Sequence, residues 1–163
     1  MVKINDLISS VSNMLSQAVK DTKFNVKITD DENQRQLYAD KDVGCFFIDV
    51  HIGKSKSRNL HFNTKDVEIS INYYPQSVEK KRDLYDLKDI LDTIFTRSIV
   101  VGKRYLHIQD ITDNIMKDDI GYWLNYTFNL SYAEQVYFEV HDRDTMGSVD
   151  VALLEEIRVE REV

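Results

Sequence analysis

The chain has 163 residues, 42% of them hydrophobic and 30% charged, which suits a single domain with a buried core. Its formal net charge of −7 disfavours a protein that grips nucleic-acid phosphates, because such binding needs a basic surface. The single cysteine excludes an intramolecular disulfide, and no apolar run is long enough to span a membrane. We therefore expect one domain that binds neither membrane nor specific nucleic acid.

The N-terminal residues predict a helix followed by weaker elements. Residues 3–20 place apolar side chains at spacings of three and four, which is typical of an amphipathic helix packed on one side. They also lack the apolar core of a secretory signal, so we expect synthesis in the cytoplasm. Residues 24–28 alternate and predict a short strand, whereas residues 29–42 are polar and predict a loop or a short edge hairpin.

Two strands with a basic connection are predicted next. Residues 43–52 and 66–74 alternate apolar and polar side chains, as half-buried strands do. Between them lies an arm, residues 53–65, which is basic although the protein as a whole is acidic. Three interpretations remain open for it: a solvated mobile loop, a segment that orders on an acidic surface of another subunit, or a nucleic-acid contact.

The next predicted elements are a helix and a run of strands. Pro75 ends the preceding strand, and Ser77 is a candidate N-cap for a helix of about 20 residues with a leucine stripe. Residues 100–108 predict a strand in which Gly102 marks a turn or bulge, and the aspartate-rich residues 109–119 predict a connection. Strict alternation over residues 120–132 then predicts one long strand with an apolar face and a polar face.

The C-terminal residues give a weaker pattern. Residues 156–163 alternate, which fits either a strand that docks on a neighbouring subunit or a frayed tail. The order of elements predicts an α+β fold, with an antiparallel or mixed sheet and two long amphipathic helices on one face. We treat residues 1–163 as a single domain with its arm at 53–65 and its tail at 148–163.

Catalytic and metal-binding patterns are absent from the sequence. It contains no phosphate-binding glycine loop, nucleophile elbow or zinc-protease motif, and its four histidines do not have metal-ligand spacing. Cys45 lies beside two phenylalanines, which favours a buried inert thiol. The charged residues 141–144 favour a polar loop or a partner contact over a metal site. We expect no enzyme activity, cofactor or metal.

The aromatic residues of the long strand divide between core and surface. Tyr122, Tyr126 and Tyr132 fall on the apolar face, where we expect rings in the core and hydroxyls at its edge. Trp123 falls on the polar face and is the aromatic residue best suited to an interface.

Residues 66–132 resemble a known family. The segments DVEISINYYP, DLYDLKDIL, KRYLHI and WLNYTFNLSY, in that order, are similar to those of the tail terminator (tail completion) proteins of tailed bacteriophages and phage-tail-like bacteriocins. The order of elements fits nearly the whole chain. These segments are signatures of a fold and carry no catalytic residues.

The resemblance implies a hexameric ring that caps the finished tail tube, stops its growth and meets the head connector, and the sheath in a contractile particle. It also implies that the arm orders on the next subunit when the ring forms. The candidate interface residues for the neighbouring subunit or the tube are Lys54, Lys56, Arg58, Lys65, Trp123 and Arg143. An alternative in a second class is a head–tail joining or assembly factor that binds tube subunits without forming a ring.

Overall fold

The computed structural model describes residues 2–59, 62–76, 80–118 and 121–135. Its elements are, in chain order, α1 Ile4–Val19, β1 Lys27–Thr29, α2 Glu32–Asp40, β2 Cys45–Asn59, β3 Phe62–Tyr74, α3 Lys81–Ile94, β4 Ser98–Val101, β5 Arg104–Lys117 and β6 Tyr122–Gln135. The strands form one sheet in the order β1-β2-β3-β6-β5-β4. β1 runs parallel to β2, and every other neighbouring pair is antiparallel. The predicted α+β class with a mixed sheet is confirmed.

The helices α1 and α3 pack together on one face of the sheet, as predicted. α1 buries a residue at every fourth position, and α3 buries leucines at spacings of three and four, so each helix turns a single apolar stripe to the sheet. Phe95, at the end of α3, stacks on Phe128 of β6 with ring centroids 5.1 Å apart. Each fully buried side chain of this size stabilises the fold by about 1.5–3 kcal/mol.

Two of the three tyrosines predicted for the core are buried. Tyr126 and Tyr132 are buried, and Tyr122 is half-buried against the core. The Tyr126 hydroxyl donates to Asp92 of α3 at 3.0 Å, which ties the long strand to the helix. Burial, and then this bond to a carboxylate, raise the pKa of Tyr126 well above its usual range, so the hydroxyl stays protonated.

Residues 29–42 do not form the predicted loop or edge hairpin, because α2 occupies most of them. Asp31 caps this helix by accepting a bond from the Asn33 N–H at 2.8 Å. Arg35 pairs with Glu32 one turn earlier. The helix buries none of its residues, so its sequence has no apolar stripe from which a helix could be predicted.

The aspartate-rich residues 109–117 were also predicted wrongly, since they continue β5 as a strand. β4 and the start of β5 form a hairpin that turns at Gly102, whose positive φ of 60° suits a residue without a side chain. Helix α3 begins at Lys81 and has 14 residues, fewer than predicted. The candidate cap Ser77 and the C-terminal residues 136–163 lie outside the described residues.

Candidate interface surfaces

The basic arm is a β-hairpin. β2 continues through Asn59 and β3 begins at Phe62, so the two strands extend past their predicted bounds of 43–52 and 66–74 and include most of the arm. Register shifts after Ile52 and after Ser57 interrupt the ladder between these strands. The basic side chains of the outgoing strand, Lys54, Lys56 and Arg58, are all exposed. Strand geometry therefore holds three cations along one stretch of β2.

The base of the hairpin is tied to the body by a buried carboxylate. Glu134 of β6 is 4% exposed and pairs with Lys65. It also accepts a hydrogen bond of 2.8 Å from the backbone N–H of Val2. Burial alone would raise the pKa of Glu134, but Lys65 and the Val2 N–H lower it below its ordinary value. The charge of Lys65 is thus matched within its own subunit, whereas Lys54, Lys56 and Arg58 form no ion pair with the residues that the structure describes.

Trp123 belongs to an aromatic cluster on the sheet face opposite the long helices. Its ring stacks on Tyr74 with centroids 5.3 Å apart and an interplanar angle of 26°. The guanidinium of Arg35, on α2, lies 5.5 Å from the rings of both Tyr74 and Phe47. Arg35 is the residue that sequence reasoning missed, because the helix that positions it was not predicted.

A pocket of about 90 Å³ lies beside this cluster, between α2 and the end of the sheet. Cys45, Tyr74 and Trp123 are among its lining residues. Cys45 is buried, as predicted, and burial raises the pKa of its thiol. A thiol held in its protonated form is a poor nucleophile, which agrees with the expectation of an inert cysteine.

The predicted interface residues occupy two ends of the subunit. Because β3 runs from Phe62 to Tyr74, the hairpin lies at one end of the sheet and the Trp123 cluster at the other. The sequence had grouped both in one candidate interface. Arg143, the remaining candidate, lies outside the described residues, as does the charged segment 141–144.

Small polar side chains cover the middle of the sheet face opposite α1 and α3. Ser70 and Thr127 share a hydrogen bond of 2.9 Å, and the Asn125 amide donates to Asn72 at 2.7 Å. Among the described helices only α2 packs on this side, against β1 and β2. We call this surface the open face. Its exposed charged residues include Asp49 and Glu68, and it extends the acidic character of the whole chain.

Within the described ranges, no three His, Cys, Asp or Glu side chains are placed to hold a metal ion together. None of the described helices has the length and apolar character needed to cross a membrane. The candidate surfaces described above are the hairpin, the aromatic cluster and the open face.

Comparison with known protein families identifies the family of this chain. The profile of the family described as "Phage tail terminator protein" matches residues 6–145. The chain belongs to the phage tail terminator family. Members of this family are structural components of the phage tail, so the chain is a tail protein of the virion.

The other comparisons add little. No curated protein sequence matches the chain. One solved structure is similar at 10% identity with a TM-score of 0.48, over 83% of this chain and 97% of the other. A likeness that distant bears on neither function nor partners.

Proposed function

We propose that this terminator caps the end of a phage or phage-like tail tube as a hexameric ring, stops tube growth and forms the junction on the head side. The single observation that carries this proposal is the family match over residues 6–145. The ring assembles in the host cytoplasm and stays in the tail of the finished particle. Its partners are copies of itself, the tail tube protein, the head connector and, in a contractile particle, the sheath.

The two unlike faces of the sheet support a ring with a central passage. Helices α1 and α3 cover one face, which suits the outer wall of a ring. The open face carries serine, threonine and asparagine side chains with acidic residues such as Asp49 and Glu68. An acidic lumen repels DNA phosphates, so a genome passes through it without adhering.

The position of the candidate residues supports contacts at both ends of each subunit. Ring closure needs a heterologous interface, in which one patch meets a different patch on the next subunit. The exposed cations Lys54, Lys56 and Arg58 on an acidic body suit that role. Trp123, at the other end of the sheet, then serves contacts to the tube or the neighbouring subunit, with Arg143 as a further candidate.

The alternative function is a head–tail joining or assembly factor that binds tube subunits without forming a ring. The same family match is compatible with binding at the tube end, so stoichiometry decides between the two. An enzymatic role has no support in the described residues.

The test is the solution mass of the purified protein by light scattering over a concentration series, with negative-stain images of the same samples. We expect rings of six subunits, either free or on the ends of added tube stubs. Capped tube ends that carry fewer than six copies and show no ring would favour the joining factor. A protein that neither forms rings nor binds tube ends would overturn both functions.

A further inference from the structure

Two long strand edges have no partner strand among the described residues. β1 pairs only with Cys45–Phe47 of β2, and β4 pairs only with residues 104–107 of β5. Residues 48–59 of β2 and 109–117 of β5 therefore form free edges on opposite sides of the sheet, the latter beginning after Ile108, whose N–H donates to the Arg97 carbonyl. Unpaired backbone N–H and C=O groups along such edges are ready to pair with another strand.

The two free edges carry opposite charge. The β2 edge has Lys54, Lys56 and Arg58 against one acid, Asp49. The β5 edge has Asp110 and Asp113, the latter 3.4 Å from the Lys88 ammonium, with Lys117 at its end. Charged residues on edge strands can also prevent unwanted strand pairing. For that purpose both edges could carry the same sign, positive or negative. Opposite signs prevent each edge from pairing with its own copy and favour pairing between unlike edges.

Exposed apolar side chains accompany these charges. Ile52 on the β2 edge is 59% exposed, and Ile111 and Met116 on the β5 edge are 38% and 41% exposed. Burying them between two strands removes apolar surface from water, which favours association. Exposed apolar side chains do not repel other strands, so these three residues favour an edge that pairs.

The strand directions fit a junction between copies. The four long strands β2, β3, β6 and β5 alternate in direction, so β5 runs opposite to β2. Rotation about a ring axis keeps these directions, which makes the pairing of β2 with β5 of the next copy antiparallel. Full antiparallel overlap sets residues 54–58 opposite residues 109–113, where Asp110 and Asp113 lie.

The short outer strands set the offset between copies. β1 would collide with the end of β5, and β4 with the hairpin, if neighbouring sheets stood at equal height. Sliding one copy along the strands removes both collisions and brings the free edges into full overlap. Sheets that close on themselves need such a stagger, because their strands tilt against the axis.

We propose that the β2 edge of one subunit pairs with the β5 edge of the next, so that one β-sheet runs continuously around the ring. This inference rests on the proposed ring and names the surface that closes it. Lys54, Lys56 and Arg58 then meet Asp110 and Asp113 of the next copy, with the open face toward the passage.

The test uses two charge-reversed chains. In the first, Lys54, Lys56 and Arg58 are changed to Glu, and in the second, Asp110 and Asp113 are changed to Lys. Neither chain should form rings alone, because its two edges then carry like charges. An equal mixture should restore rings in which the two chains alternate. The acidic β2 edge of the first chain then faces the basic β5 edge of the second, and the two unchanged edges face each other. Light scattering and negative stain provide the readout.

The controls separate this junction from the ring itself. Changing the exposed Lys20, Lys81 and Arg82 to Glu alters the net charge as much as the first reversed chain does. This control variant should still form rings. Thermal unfolding verifies that both reversed chains fold. This matters for Asp113→Lys, which removes the 3.4 Å ion pair of Lys88 and leaves Asp92, at 2.7 Å, as its partner. Wild-type rings without rings in the mixture would overturn the junction and leave the proposed function standing. Absence of wild-type rings even on tube ends would overturn both.

Cysteine pairs give a second measurement on edges of native charge. Each chain carries Cys45→Ala and Ser55→Cys together with one further substitution on the β5 edge. The three chains have Asp110→Cys, Ile111→Cys or Thr112→Cys. At least one combination should form a ladder of covalent oligomers under oxidation. Ser55→Cys with Leu37→Cys, a position on α2, should form none. Ladders from none of the three combinations in a sample that shows rings, or dimers from Ile111→Cys alone, would contradict the junction.

Discussion

Glu134 is the residue at which three segments of the subunit meet. Its carboxylate holds the start of the chain through the Val2 N–H and the base of the hairpin through Lys65. Removing one partner of a buried hydrogen-bonded charge leaves the others without compensation, which costs more than the bond itself contributes. Glu134 therefore stabilises, through contacts within its own subunit, the hairpin that carries the candidate interface cations.

We predict that Glu134→Gln lowers the free energy of unfolding by about 1–3 kcal/mol at pH 7. Because the pKa of Glu134 is lowered in the folded state, its stabilisation is present above the ordinary pKa and is lost as pH falls through the folded value. The difference between the two proteins should thus shrink as the pH falls from 5 toward 3. Urea unfolding at several pH values measures it.

The matched control for that series is Glu68→Gln, which removes an exposed carboxylate from the open face. It should change the free energy of unfolding by much less at pH 7. A Glu134→Gln effect that is independent of pH, or no larger than the control, would show that the buried carboxylate does not stabilise the fold.

At the scale of elements, α2 and β5 show what the sequence could and could not predict. Long elements with one apolar face, such as α1 and β6, were predicted because burial imposes a period on the sequence. α2 buries nothing and depends on the Asp31 cap, so it has no such period. β5 exposes most of its aspartate-rich half at a sheet edge, so that its residues look like those of a loop.

The candidate site was predictable in its chemistry but not in its geometry. The basic residues of 53–65 stand out in the sequence because the rest of the chain is acidic. That Lys65 is already paired, and that Trp123 lies at the far end from the hairpin, depends on strand register. Register follows from pairings between distant segments, which a single sequence does not display.

For α2 we predict that Asp31→Ala raises hydrogen exchange of residues 32–40 without lowering the melting temperature of the core. Loss of an N-cap costs about 1 kcal/mol, and a helix with no buried residue transmits little of that cost to the rest of the fold. Hydrogen exchange followed by mass spectrometry separates the two effects. Asp30→Ala, one residue earlier, should leave the exchange of α2 unchanged; equal exchange in both variants would exclude the capping role.

At the scale of the whole molecule, charge is distributed by surface. The hairpin carries the exposed cations of β2, whereas the open face carries Asp49 and Glu68 among neutral polar side chains. In the ring proposed above, attraction between subunits and repulsion of DNA therefore use different surfaces, so one property can change without the other.

We predict that the wild-type protein does not retard DNA in a gel at physiological salt, whereas Asp49→Lys with Glu68→Lys does. Each ring of the variant would present added cations on one continuous surface, and phosphate binding grows steeply with the number of such contacts. The variant's binding should weaken as salt is raised. Asp21→Lys with Asp89→Lys makes the same change in net charge away from the open face; equal retardation by this control would contradict a special role for the face.

The position of β6 has a consequence for synthesis. β6 is the last strand described in the chain, yet it lies inside the sheet between β3 and β5. Until residues 122–135 have left the ribosome, the pair of β2 and β3 and the pair of β4 and β5 have no strand to join them. Such long-range pairing is a slow step in folding and leaves strand edges exposed meanwhile. A chain released before β6 does not place its two edges on opposite sides of one sheet. With the ring junction proposed above, incorporation into the tail would therefore select chains translated at least through β6.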